Sequence, residues 1–379
     1  MAQRIVSSRS VGLLLLGAFL ALFPFLHAWP FFGSFISEFR TFNMSQFAVW
    51  LLVVLSMNLL TGYSGQISIG HAAVVLIGAY TTGILSDQYS VPLPVAIVLA
   101  GGVAALIGGV LIGVPAVRLS GPYLAIVTFA LVITFPQILK IEALTRWTNG
   151  ALGIRVSAFE PPGFVDDFLN AREWLYYVTM SVAVFMTALY WNLTRSRVGR
   201  AFVAIRDSEI GAEQMGVNVP LYKALAFGIS SLYAGIAGGL FFMVQAFVGP
   251  ESMGFFDSIL FLVAVVIGGL GTILGSVIGA IFLTFQGEAI DKLGDVFSQA
   301  RNLRGVIYGG LLIGFMLLFP RGLAGFVHGQ EWRPQAVWAR LSARLGALRD
   351  AGRGAAERRP GRGQPPEGRK PSGRGGSSG

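Results

Sequence analysis

The chain contains no cysteine, so neither disulfides nor thiolate metal sites can form. Its three histidines, His27, His71 and His328, are scattered, which excludes an HExxH-type zinc helix, and no metal site is expected. Of the four lysines none follows a glycine. A GxxxxGK[ST] phosphate loop is therefore missing, and with it an ATP site of that kind. No nucleophile, base and orienting group cluster in the way an enzyme requires, and no cofactor is expected in this chain. Charge is scarce as well: Asp, Glu, Lys and Arg make up 12% of the residues, about half the usual share of near 25%. None of these lies in the middle of an apolar run; Asp87, Asp257 and Glu288 sit at edges. A proton-coupled carrier ordinarily needs an ionisable group within the membrane, so an ion-coupled secondary carrier is the weaker alternative, although sodium can be held by backbone carbonyls. A passive channel would show a charged ring, and none is visible.

What is present is apolar. Hydrophobic residues reach 54% of the 379, and the mean hydropathy is +0.67. Several runs approach the roughly 20 residues that cross about 30 Å of hydrocarbon. Fifty glycines suit close helix packing in lipid. The expected fold is all-α, a polytopic transmembrane bundle of about 8–10 spans that includes broken helices. Spans are expected near 11–32, 44–62, 70–86, 93–114, 120–139, 174–194, 223–248, 255–287 and 305–319. The first, led by Arg4 and Arg9, resembles a signal peptide but reads better as a retained helix.

Orientation follows from the basic ends. Arg4 and Arg9 place the N-terminus inside, and the basic C-terminal segment does the same for the other end, so the number of crossings must be even. A helix over 255–287 would be about 50 Å long, too long for one crossing. The run Gly268-Gly269-Leu270-Gly271-Thr272 offers a break, which makes ten spans. Both halves are short, as broken or re-entrant helices are. Ten spans divide into five and five with opposite starting sides, the parity of an inverted repeat, although no residue-level match between the halves is visible.

The net charge of +9 is not a nucleic-acid signal once it is located. Residues 321–379 carry 12 Lys and Arg against 4 Asp and Glu, while residues 1–320 carry 16 against 15. Residues 1–327 therefore form a nearly neutral membrane domain. Residues 328–379 form a Gly-, Pro- and Arg-rich tail, expected to be disordered and to lie against anionic lipid on the cytoplasmic side.

Two segments carry chemistry. In the first, Asn58 to Ala73 (NLLTGYSGQISIGHAA), Gly62, Gly65 and Gly70 interrupt helix. Asn58, Thr61, Ser64, Gln66, Ser68 and His71 supply donors and acceptors. A polar, glycine-broken stretch beside the membrane interior is how transporters expose backbone to a polar solute, which makes these nine residues candidates for the translocation pathway. An ordinary polar turn capping the next helix is the alternative, and for His71 a structural hydrogen bond is the simpler role. In the second, 195–223, residues 201–215 have a helical pattern, with Phe202, Ile205, Ala212 and Met215 recurring at helical spacings. Gly216 is expected to stop this helix and Pro220 to end any continuation. A lipid-surface helix is one reading. The mixed charge of Arg206, Asp207, Glu209 and Glu213 instead favours docking of a cytosolic partner, with Ala212 and Gly216 completing a coupling set. In 268–285, Gly271, Gly275 and Gly279 fall four apart and are expected, with Gly268 and Gly269, to serve helix packing. Gly235 with Gly239, and Gly310 with Gly314, read the same way.

At these segments the chain resembles the permeases of branched-chain amino-acid ABC importers. The resemblance runs over roughly residues 45–327. It is carried by NLLTGYSGQISIGHAA, by RSRVGRAFVAIRDSEIGAEQMGVNVPLYKALAF (similar to the EAA-type coupling segment), by VVIGGLGTILGSVIGAIF and by FPRGLAGF. Length and the long external segment 140–173 fit the second, longer of the two permeases such importers pair. One departure is Gly211, where alanine is more typical. The resemblance implies a bacterial inner-membrane subunit that pairs with a paralogous permease. Its further partners would be two cytoplasmic ATP-binding subunits and a periplasmic or lipid-anchored substrate-binding protein. It also implies leucine, isoleucine and valine as first-choice substrates, with urea, short amides or other amino acids as related alternatives.

Overall fold

The computed structural model describes residues 38–118, 122–156 and 170–296, together with Gly310 and Leu323. The described residues all fall within the first of two units, Met1–Gln330. The expected spans 11–32 and 305–319, Gly314 and the basic tail lie outside the described residues.

The chain is helical. In order come α1 (Glu38–Asn58), α2 (His71–Asp87), α3 (Leu93–Leu106), α4 (Gly113–Arg118), α5 (Pro122–Ile138) and α6 (Glu142–Thr148). After these follow α7 (Ala171–Arg195), α8 (Arg197–Asp207), α9 (Glu209–Gln214), α10 (Val219–Gln245), α11 (Phe255–Gly268) and α12 (Ile273–Val296). Two π turns, Leu59–Tyr63 after α1 and Ile107–Ile112 between α3 and α4, extend neighbouring helices. Among the described residues, four helical stretches are long and apolar enough to cross a membrane: Thr41–Tyr63, Leu93–Pro115, Ala171–Arg195 and Val219–Gln245. The molecule is thus a polytopic helical bundle.

The proposed split of 255–287 is present. α11 and α12 are separate apolar helices, and Gly269 and Gly271 form the break with φ of 123° and 71°. The span expected over 120–139 is modified. α5 bends by 81° into α6, because the bonds Lys140 N–H to Gln137 and Ile141 N–H to Ile138 tighten its last turn to i→i+3 geometry. Ile141 then adopts an extended conformation. The chain continues from α6 into strand β1 (Ile154–Arg155), which pairs antiparallel with β2 (Phe247–Val248) just after α10. Lys140 and Glu251 form an ion pair across the same end of the molecule.

α10 is the axis of the bundle and packs on α1, α2, α3 and α4. Its most apolar window is 78% buried, against 39% for α3 and 33% for α7. Small residues make this central position attainable. A Cβ on Gly238 would lie 2.0 Å from the Val75 carbonyl oxygen, and one on Gly78 would lie 2.2 Å from that of Gly235. On the other side Gly235 faces Ala104, where an added Cβ would approach to 2.4 Å. The expected packing role of Gly235 and Gly239 thus extends to Gly238, which the four-residue spacing passed over. Away from these contacts, α3 and α5 present large apolar side chains outward, among them Val98, Leu106, Ile126 and Ile133.

Gly238→Val should overpack the α2–α10 contact and cost at least the usual 1–3 kcal/mol, about the range for extra methylenes in a packed core. A fall in the thermal midpoint of the detergent-purified protein would report it. Gly102→Ala, on α3 with nothing within 4 Å of the added carbon, should leave that midpoint unchanged or slightly raised.

Candidate translocation and coupling site

The two helix breaks seen in the sequence meet in space. Asn58 ends α1 fully buried. Its Oδ1 accepts the Gly271 N–H at 2.8 Å. Its Nδ2 donates to the Thr272 carbonyl at 2.9 Å and to Ser276 Oγ at 2.8 Å. One side-chain amide therefore satisfies the Gly271 N–H, which the turn leaves without a helical partner, and adds a second donor to the Thr272 carbonyl, which already accepts the Ser276 N–H. Gly62 completes the contact, since a Cβ there would sit 2.4 Å from the Gly271 nitrogen. Gly271 itself lies in the turn, with left-handed φ, and faces Gly62. The expectation that it shares a helix face with Gly275 and Gly279 is corrected. Those two do pack on α11: added carbons would meet the carbonyl oxygens of Gly269 and Ala264 at 2.2 and 2.5 Å. Gly268 opposes Gly275, whose carbonyl oxygen would lie 1.9 Å from a Cβ added at 268.

Between Tyr63 and His71 the chain leaves regular helix, with Gly65 at a left-handed φ of 71°, and burial alternates from residue to residue. Ser64, Gln66, Ser68 and Gly70 are buried, whereas Gly65 is exposed and Ile67 keeps 46% of its surface. The polar residues of this stretch turn into the protein body. Ser64 Oγ donates to the Leu60 carbonyl at 2.8 Å and accepts from Gln66 Nε2 at 3.0 Å. Gly70 lies against Thr128 of α5, whose carbonyl oxygen would be 1.9 Å from an added Cβ, and Thr128 Oγ1 accepts the Ile69 N–H. His71 opens α2, with Nε2 2.6 Å from Ser56 Oγ. The Ser56 hydroxyl has one proton and lies 2.6 Å from the Val53 carbonyl, which can only accept. Both contacts are satisfied when His71 Nε2–H donates to Ser56, so His71 takes the structural role. Two acceptors in the segment, Thr61 Oγ1 and Gln66 Oε1, are buried without a partner among the described residues.

The coupling segment folds as two short helices rather than one over 201–215. Ser196 caps α8, its hydroxyl accepting from Val198 and Gly199 N–H. Ser208 interrupts the helix and caps α9, accepting the Gly211 N–H at 3.1 Å. Sequence reasoning passed over Ser208, although a serine three residues before Gly211 is the usual N-cap arrangement. An alanine at position 211 would place its Cβ 3.1 Å from Ser208 Oγ. Gly216 follows α9 with φ of 82°, as expected of a stop. Pro220, instead of only ending that helix, sits in the first turn of α10 behind the Asn218 cap. Phe202, Ile205 and Ala212 are buried, but Met215 is 85% exposed, beside exposed Ile210, Asp207, Glu209 and Glu213.

Two contacts tie this segment to the bundle. Glu209 Oε2 lies 2.7 Å from Nζ of Lys223, a buried cation in the first turns of α10. Arg206 Nη1 donates to the Gly62 carbonyl at 2.7 Å. The structure therefore joins Asn58, Gly62, Gly65, Arg206 and Gly271 in one place. It leaves Asp207 and Glu213 on the outer surface, and His71 and Ser68 inside the packing. Ile67 and Thr128 belong to this neighbourhood and were not anticipated.

Residues 40–319 match the family described as "Branched-chain amino acid transport system / permease component". The chain belongs to that family. It is 32% identical over 328 residues to the high-affinity branched-chain amino acid transport system permease protein LivM of Salmonella typhimurium, covering 80% of this chain and 73% of that protein. LivM of Escherichia coli is 32% identical over the same shares. The autoinducer 2 import system permease protein LsrC of an Enterobacter strain is 28% identical, over 79% of this chain and 84% of its own. No solved structure matches. The family member described here is an integral membrane permease, and the matched region contains every residue of the junction between the two breaks.

Asn58→Ala should leave the Gly271 N–H unpaired and take from the Thr272 carbonyl the amide donor it has besides Ser276. An orphaned buried group costs about 1–3 kcal/mol, so the midpoint should drop clearly. Ser64→Ala, which removes a hydroxyl bonded mainly within its own turn, should cost less than Asn58→Ala in the same thermal assay.

Proposed function

We propose that this chain is a pore-forming subunit of an ATP-driven bacterial importer for branched-chain amino acids. It acts in the inner membrane with both termini cytoplasmic. The pathway is completed by a paralogous permease, a periplasmic or lipid-anchored binding protein delivers the solute, and two ATP-binding subunits dock on α8–α9. The observation that carries this reading is the coupling segment itself. α8 and α9 present exposed Ile210, Met215, Asp207 and Glu213 outward while Arg206 and Glu209 grip the bundle inward. A lipid-surface helix would have little use for acidic groups on its outer face. The chain has no phosphate loop of its own, so the energy must arrive through such a contact. The names of the LivM relatives support the branched-chain class, and the LsrC likeness makes autoinducer 2 the second reading.

Vesicles carrying the full complex should accumulate labelled leucine only with internal ATP, and vanadate should abolish uptake while ionophores that collapse proton and sodium gradients leave it intact. Gradient-driven uptake by this chain alone would establish a secondary carrier instead. Accumulation of autoinducer 2 in place of leucine would retain the importer and reassign its solute.

Within the complex, Ala212→Pro removes the N–H that donates to the Ser208 carbonyl and costs about 3 kcal/mol in a helix. Glu209→Lys sets a like charge against buried Lys223. Both should lower uptake and substrate-stimulated ATP hydrolysis together, with normal membrane insertion. Full coupled uptake by Ala212→Pro would end the docking assignment.

A further inference from the structure

We infer that Arg206 is a positioning residue that locks the coupling helix to both interrupted helices of the membrane domain, so that movement of α8 reaches the pathway through the Gly62 carbonyl. This deepens the reading of α8–α9 as a docking element and rests on it. The guanidinium uses three of its donors in fixed directions. Nε and Nη2 both donate to Asp207 Oδ1, at 3.1 and 3.0 Å, and this aims Nη1 at the Gly62 carbonyl, 2.7 Å away. That carbonyl belongs to the π turn that ends α1, where helical partners run out.

Two glycines make room for the side chain. A Cβ on Gly65 would lie 2.9 Å from Arg206 Cγ, and one on Gly271 would lie 3.3 Å from Nη1. Gly62 and Gly271 themselves touch, and Asn58 bonds the second break to the first. One cation therefore lies across the end of α1, the start of the 64–70 segment and the turn between α11 and α12. Charge alone would not need this shape. A planar fork held by its neighbour delivers one donor to one carbonyl, which a lysine ammonium on a flexible stem does not reproduce. Arg206 is thus directed away from a partner docked on Ile210 and Met215, and its contribution is separable from docking.

The test compares Arg206→Ala and Arg206→Lys with the wild type, in complexes purified from the native membrane through a tag on this chain. The ATP-binding subunits should co-purify equally with all three. Leucine uptake should fall at least tenfold in Arg206→Ala and recover in part in Arg206→Lys. In the wild-type complex, ATP with vanadate should change amide hydrogen exchange in peptides covering 59–70 and 268–273, and Arg206→Ala should remove that response. Loss of the ATP-binding subunits from Arg206→Ala would make Arg206 a docking residue and overturn the proposal. So would an exchange response that persists in the variant or is missing from the wild type. A wild-type preparation without ATP-binding subunits would instead remove the importer reading itself, before any variant is compared.

Discussion

Backbone polar groups have nowhere to turn inside a membrane, and this constraint organises the molecule around Asn58. Wherever a helix breaks, N–H and C=O groups must find partners within the protein. The chain breaks at 59–70 and again at 269–272, and it places the two breaks together so that one buried amide serves the second. A carboxylate could not donate to the Thr272 carbonyl, and a hydroxyl could not make all three bonds; an asparagine side chain carries both an acceptor and two donors. The glycines at 62 and 271 then follow from distance, since any Cβ would hold the breaks apart. Two breaks that would each be costly in isolation share partners at a single junction.

The junction also decides which groups the 64–70 segment leaves at the surface. Ser64, Gln66 and Ser68 are buried, whereas Gly65 and Ile67 are exposed. The polar side chains that make the segment conspicuous in the sequence thus hold it to the protein body, and what it leaves outside is backbone and one apolar side chain.

Much of this was legible from residues. The helical class, the break at 268–272 and the stop at Gly216 all rest on local chemistry, namely apolar length and the conformations glycine permits, and the structure has them. The pathway candidates were recognised as special, but the direction in which they point was not, because a run of serines and glycines reads as a loop. Burial alternates over Ser64-Gly65-Gln66-Ile67-Ser68, but the left-handed Gly65 that sets which side chains turn inward is a tertiary choice that composition does not reveal. The bend after α5 and the cap at Ser208 are set by single-residue geometry, which a window of hydropathy averages away. The partnership of Arg206 with Gly62, across 144 positions, is a tertiary fact that no local pattern carries.

The strand pair β1–β2 has a mechanical meaning beyond its four residues. α10 is 27 residues long, about 40 Å at 1.5 Å per residue, and it is fastened at both extremities. Near its first turn Lys223 holds Glu209; just past its last, Val248 is hydrogen-bonded to Ile154. An uninterrupted rod pinned at two ends behaves as a lever. A tilt of about 10° about one end displaces the other by roughly 7 Å, taking the same rise per residue. The strand pair beyond one end of α10 is therefore linked to the Lys223–Glu209 contact near the other by one continuous helix.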